Sequence, residues 1–562
     1  MSITWARSTA HFLSAFTVTI GWALACGQAE AACHETYGFE DVVREWTYEI
    51  NTTSFGQLSG ITSMTGPRAV VSAADTWNEQ ANSSYFRYTG TTTRDSIDDQ
   101  LTSLQCDAQN IKSLVVVDPA RFQGSANNAE TQTNACLDAN GIPTRFVIYI
   151  NVRDFGVGDV SGTNKLDLES IIAHEFGHVV GLGHPAQGGE EDEATMQLTD
   201  DGAGRMRRRD LYQWDIECAN GYSPGYPQHQ RSLTGYEQFQ VGSYVYSQTA
   251  FTGAWNVAKA TASMTHHNGY WQWSSAVKRE DWLYWTEDLD TADTMPVSAS
   301  YLTAAFTSGL WREDLSMDRV FSSEYLDYPD SYDLLGKHRV YYYRSSNGFQ
   351  SDSSSPLYHC NSMTGWMTCS SMSNVFSSEP VAVAWVPQYS RSVVAWVNQN
   401  RLDNAESWEI FVSIGTLQHW LLSEPDKLGV RSSVSPGVAC ASASSPLGAT
   451  CVVAYVSVSD PYQRVKLRKY IPIPWGDRYQ LFFISETTTS LATGSRIAAW
   501  FADGKFWFAA RSMDVGQAVA AYNSTDGVQW TLVDSDIGPS VTGPSAVSYY
   551  NDSTFNVLVT AH

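Results

Sequence analysis

The sequence predicts two folded parts: an α/β domain over residues 33–219 and, beyond a linker at 220–232, an all-β domain over 233–562. Three observations predict this. Strand and helix periodicities alternate up to about residue 219, and helical periodicity then fades. A histidine pattern, His174-Glu175-Phe176-Gly177-His178-Val179-Val180-Gly181-Leu182-Gly183-His184, lies near the end of the first part. In the second part short apolar runs recur, with Tyr342, Ala395, Ala454 and Ala509 spaced 53, 59 and 55 residues apart. A chain of 562 residues is also too long for one core.

Residues 1–32 read as an export signal. Arg7 supplies the basic start, Phe12 to Ala25 an apolar segment too short to span a bilayer, and Ala29-Glu30-Ala31 a small-x-small cleavage site. The expected location is therefore secreted; the alternative is lipid anchoring through Cys26, after Ala23-Leu24-Ala25. No other segment is apolar and long enough for a transmembrane span. The net charge of −24 argues against nucleic acid and anionic membranes as partners.

Of nine cysteines, eight lie beyond the signal, an even number that suits disulfides in an oxidising compartment. Cys360/Cys369 and Cys440/Cys451 each span a short loop. Among the other four, Cys33–Cys218 and Cys106–Cys136 are the favoured pairs, although sequence leaves the connectivity open.

In the first domain, Arg44 to Asn51 alternates as a strand, and Pro67 to Asn82 carries apolar residues at helical spacing behind an N-terminal proline. Tyr85 to Tyr88, Ser113 to Val117 and Phe146 to Asn151 read as strands. Gln123 to Thr144 reads as an irregular or edge strand. Leu166 to Val180 is then a helix, with Asp167 favourable in its first turn.

That helix carries the chemistry. His174 and His178, four apart, project from one helical face and can grip one metal ion. Gly181 permits the positive φ that ends a helix and brings His184 round as a third nitrogen. Glu175 can reach a metal-bound water without being a ligand. Three histidines leave a fourth position open, and Zn2+ is the expected cofactor. A core helix with incidental histidines is disfavoured, because these are the only histidines between His34 and His229.

The stretch His174 to His184 resembles the metzincin signature, and the element order is similar to the matrixin-like branch. The resemblance implies a metzincin-type catalytic domain: a zinc endopeptidase with Glu175 as general base, acting on a protein or peptide substrate laid along an exposed sheet edge. It also implies a turn whose methionine is Met196, in Ala194-Thr195-Met196, and a C-terminal helix over Arg209 to Cys218. Met206 is the second candidate, but its charged run Arg205 to Asp210 reads as a solvated helix start. Leu198 stands where some metzincins have a tyrosine ligand, so no further ligand is expected. The family's cysteine-switch propeptide is not visible. Glu190 to Glu193 could hold Ca2+, although a solvated loop is the better-supported reading.

Fifteen of the 20 tryptophans lie from Trp255 onward. The runs Val340 to Tyr343, Val393 to Val397, Val452 to Val456 and Phe506 to Ala510 supply the repeat, and Val381 to Val386 and Arg496 to Phe501 precede two of them. Several strands per unit at such a period indicate a β-propeller. About 330 residues at roughly 55 per unit make six blades, with seven as the alternative count. A pair of β-sandwiches is the runner-up. Ser524-Thr525-Asp526-Gly527 with Trp530 looks like the hairpin turn of sialidase-type propellers, and Ser345 to Gly348 is a second candidate turn. The propeller is expected to bind a protein or glycan. The alternative for the whole chain is an extracellular binding propeller whose metzincin-like domain is inactive or accessory.

Overall fold

The computed structural model describes residues 45–211 apart from 81–84, 96–111, 123–130, 138–142, 186–193 and 198–201. It further describes 214, 215, 218 and 219, strands between 231 and 416 with a few adjoining residues, 426–535 apart from 442–446, 476, 477 and 503, and the last two strands. The protein is mostly β-sheet, with two α-helices among the described residues. The signal segment, Cys26, Cys33, Cys106, Glu190 to Glu193, most of the linker and the turn at Ser345 to Gly348 lie outside them.

The first part is built on one five-stranded sheet. Its elements run β1 (Glu45–Ile50), α1 (Thr65–Gln80), β2 (Tyr85–Thr91), β3 (Ser113–Val117), β4 (Thr131–Leu137) and β5 (Pro143–Ile150). Two short pairing segments follow, β6 (Phe155–Gly156) and β7 (Leu166–Asp167), and then α2 (Leu168–Val180). The order across the sheet is β2-β1-β3-β5-β4. All neighbours are parallel except the edge strand β4, which pairs antiparallel with β5.

Period-two patterning sorts the strand residues between two faces. Tyr48, Ile50, Val115, Val117, Phe146 and Ile148 join one buried cluster with residues of both helices. Leu114, Val116, Val147 and Tyr149 form a separate small cluster on the other side. Phe176 of α2 meets Tyr48, Phe86 and Phe146 at ring-centroid distances of 5.6, 4.5 and 5.9 Å. Trp77 of α1 is fully buried and donates Nε1–H to the Ala173 carbonyl at 2.7 Å, tying the two helices together.

Two expectations need correction. Arg205 to Asp210 is not a solvated helix start: Met206, Arg208, Arg209 and Asp210 are all buried, with a 3-10 turn at Arg207–Arg209. The charges are accommodated by pairing, since Arg209 binds Asp167. In the helix expected over Arg209 to Cys218, residues 209–211 are not α-helical, whereas 214, 215 and 218 are, and the residues between them lie outside those described.

The second part is a β-propeller. Six sheets follow one another. The first holds β8 (Arg231–Gly235) and β9 (Ala250–Gly253), completed from the far end of the chain. Next come β10 (Val257–His267), β11 (Tyr270–Arg279) and β12 (Trp282–Asp288). The third sheet is β13 (Met317–Leu326), β14 (Lys337–Arg344), β15 (Leu357–Asn361) and β16 (Thr368–Met372). The fourth is β17 (Ala382–Val386), β18 (Arg391–Val397), β19 (Glu409–Thr416) and β20 (Asp426–Arg431). The fifth is β21 (Gly437–Cys440), β22 (Cys451–Val456), β23 (Arg464–Trp475) and β24 (Arg478–Ala492). The last complete sheet is β25 (Ala498–Ala502), β26 (Lys505–Arg511), β27 (Val519–Ser524) and β28 (Thr531–Asp534).

Within each of these sheets sequential strands pair antiparallel. The lead strands β10, β13, β17, β21, β25 and β29 (Ser545–Val547) touch in cyclic order, β29 returning to β10. Closure comes from a shared sheet in the order β29-β30-β8-β9, where β30 (Val557–Ala561) pairs antiparallel with β8. The chain's late strands are thus locked to its early ones, and among the described residues the ring of lead strands closes on itself.

The repeat residues Tyr342, Ala395, Ala454 and Ala509 all fall on second strands of their sheets. Their regular spacing reflects burial on both faces: Val452, Ala454 and Val456 join one inter-sheet cluster, while Cys451, Val453 and Tyr455 join the other. Ser524 to Gly527 forms the turn between β27 and β28. Asp526 Oδ1 accepts from the backbone N–H of Val528 and Gln529, each at 2.8 Å, and Gly527 has φ +72°. Trp530 packs on Phe508 at 5.1 Å.

Candidate functional site

Helix α2 is fixed at both ends. Asp167 caps its N-terminus, accepting from the Ser170 N–H at 3.1 Å, and Gly181 ends it with φ +102°. A β-carbon would strain that left-handed backbone. The turn back through Leu182 brings His184 to His174 and His178.

The ligand atoms of the three histidines lie within 4.8 Å of one another. Two imidazoles are held by carbonyl oxygens: His174 Nδ1 by Thr195 at 2.8 Å and His178 Nδ1 by Leu182 at 2.9 Å. A carbonyl only accepts, so each Nδ1 carries the hydrogen and Nε2 presents its lone pair. His184 Nε2 stands 3.2 Å from His174 Nε2. Two nitrogens on a tetrahedral zinc, each at about 2.05 Å, would be about 3.3 Å apart, the spacing of this pair, and three neutral imidazoles are the donor type that suits that ion. Burial, then the charges of His178 and Arg208, hold the His174 pKa well below its usual value; the same causes bring His184 to about 4. Both rings are therefore neutral near pH 7, the form that binds metal.

Met196 is fully buried with its sulfur against Gly177 of α2, where an added β-carbon would overlap it. Asp215 holds this turn by accepting from the N–H groups of Thr195 (2.8 Å) and Met196 (3.1 Å). Glu175 is buried beside the histidines, but its carboxylate is not free. Thr131 donates to Oε1, and Thr133 to Oε2 at 2.5 Å, both from the edge strand β4.

The sequence reading singled out neither threonine, nor Asp215, nor Trp77. A signal for the first two existed. Thr-x-Thr in a strand puts both hydroxyls on one face, and 123–144 reads as an edge strand.

Cys440 and Cys451 are disulfide-bonded on directly opposed positions of β21 and β22. Cys360 and Cys369 are likewise opposed in register on β15 and β16. Cys218 is disulfide-bonded to a partner outside the described residues, and Cys136 lies on β4.

No family model matches this sequence, and no curated protein matches it. Solved structures do. An Aleuria aurantia lectin mutant in complex with alpha-methyl-L-fucoside is 11% identical with TM-score 0.34, covering 50% of this chain and 78% of its own. AofleA from Arthrobotrys oligospora is 10% identical with TM-score 0.31, covering 56% and 86%. A Trypanosoma rangeli sialidase in complex with sialic acid is 13% identical with TM-score 0.25, covering 40% and 39%.

These neighbours correspond to the propeller, and the metzincin resemblance finds no counterpart among them. The expectation of a zinc endopeptidase is corrected here: the matching structures named above are a fucoside-bound lectin, AofleA and a sialidase, and none of them is a peptidase.

Proposed function

We propose that the chain is an extracellular glycan-binding propeller protein with an accessory, metzincin-like domain that holds one zinc ion. The observation that carries this reading is the ring of six sheets closed by the shared sheet of β29, β30, β8 and β9. A six-bladed propeller is also the architecture of the Aleuria aurantia lectin, whose structure is described with fucose recognition, so fucosylated glycans are the first ligands to try. Among the described residues no helix is long and apolar enough to cross a membrane, which is compatible with export.

The zinc would be held by His174, His178 and His184. It would supply a three-nitrogen cross-link between α2 and the segment after Gly181, fixing the helix's C-terminal end. Met196 would support the helix from behind through Gly177.

The test uses the purified full chain. Elemental analysis should find one zinc per chain, lost in His178→Ala. A glycan array and titration with alpha-methyl-L-fucoside should show saturable binding that Glu175→Gln leaves unchanged. Absence of binding to any arrayed glycan, or casein hydrolysis abolished by Glu175→Gln, would overturn the reading.

A further inference from the structure

The first part and the propeller meet through buried, polar and specific contacts. Loops at one end of the fifth and sixth sheets press on α1, β2 and the start of α2. Arg511, at the end of β26, pairs with Asp75 of α1, and both side chains are excluded from solvent. Gln463 Nε2 donates to Glu169 Oε2 at 3.1 Å, and Gln517 Oε1 accepts from the Tyr88 N–H at 3.1 Å. Ala492 and Met513 of the propeller belong to the same buried cluster as Trp77 and Phe176. A β-carbon on Gly494 would stand 2.8 Å from Ser72 Cα and 3.0 Å from Asp75 Oδ2, so the propeller backbone lies directly against α1 there.

The backbone gives a second, independent sign. Among the described residues only three that are not glycine have positive φ: Trp408, Gln463 (φ +50°) and Gln517 (φ +48°). Two of the three are the glutamines that reach across the interface. Such a conformation costs energy and persists where surrounding contacts over-determine it. The fold accepts this strain at the positions that grip the first part.

What they grip leads to the metal site. Glu169 sits in the first turn of α2, five residues before His174, and also accepts from Ser72 Oγ at 2.6 Å. Arg209 joins Glu169 (3.3 Å) to the helix-capping Asp167 (2.6 Å). Asp75 is two residues from Trp77, which bonds the carbonyl of Ala173, next to His174.

We propose that the propeller positions the metal-holding helix, through Gln463 on Glu169 and Arg511 on Asp75, so that metal affinity and propeller docking are coupled. This rests on the zinc site proposed above. The two parts are then one cooperative body, and the propeller is more than a tethered binding module.

The test is zinc affinity of the full chain, measured by competition with a chromophoric chelator. Gln463→Gly and Arg511→Met should each bind zinc about tenfold more weakly, the lower end of what loss of a supporting contact costs a metal site. Asp75→Asn combined with Arg511→Met should recover part of the loss, because it leaves no buried unpaired charge. Lys505→Ala, away from the interface, should bind as wild type.

Gln463→Gly relieves the positive-φ strain. A purely structural role would therefore leave affinity unchanged, and the variant should fold even if Arg511→Met does not. Wild-type affinity in folded Gln463→Gly would overturn the coupling. Failure of the wild-type chain to bind zinc would instead sink the metal site, and this inference with it.

Discussion

At Gly177 the packing of the site can be weighed against helix propensity. Alanine inside a helix is favoured over glycine by about 1 kcal/mol. Here the added methyl would overlap the Met196 sulfur and come 2.8 Å from Trp77 Cζ2. Overpacking typically costs 1–3 kcal/mol, so the clash should win. Gly177→Ala is expected to lower the thermal midpoint and weaken zinc binding; a raised midpoint would show that Met196 is loosely held. The histidines and Gly181 were legible in the sequence because their chemistry and spacing are local. Gly177 was not, since its constraint comes from Met196, nineteen residues on. Glu175 was legible as a position, but its two threonine partners on β4 were not, being more than forty residues away.

Among the elements, α2 shows how a charged run can be misread. Asp167 both caps the helix and receives Arg209 through two bonds, Nε to Oδ2 at 2.7 Å and Nη2 to Oδ1 at 2.6 Å. Arg209 is 2% exposed. Hydropathy places Arg205 to Asp210 in water because it counts charges singly, whereas the fold buries Arg209 against Asp167 and Glu169. Removing one partner of a buried pair costs about 3–5 kcal/mol, and a lost cap about 1 kcal/mol more. Asp167→Ala should therefore lose several kcal/mol in urea unfolding. The double variant Asp167→Ala/Arg209→Met should lose less than the two single losses added together, because the two side chains bond each other, although Arg209 also holds the buried Glu169. Losses that simply add would mean that the pair contributes nothing beyond the cap. The strands themselves were easier to read, because β1, β3 and β5 are short β-branched or aromatic runs whose pattern is set by their own burial.

For the whole molecule, the propeller repeat was visible and its closure was not. Second strands such as β18, β22 and β26 are buried on both faces, so each prints the same apolar run on the sequence at a regular spacing. Closure depends on β30 meeting β8 and docking on Arg511 meeting Asp75, pairs separated by hundreds of residues with no local signature. The shared sheet makes a definite demand on stability. β8 is held on one side by β9 and on the other by Val559, Thr560 and Ala561. Deleting residues 557–561 leaves β8 and β9 as a two-stranded hairpin, which is marginal in water without a third strand. Limited proteolysis of that variant should cut first between residues 231 and 256, while the sheets led by β17, β21 and β25 stay intact through their mutual packing. If 231–256 remains as resistant as in the full chain, the ring is held shut by its lead strands alone, and the shared sheet contributes no closure.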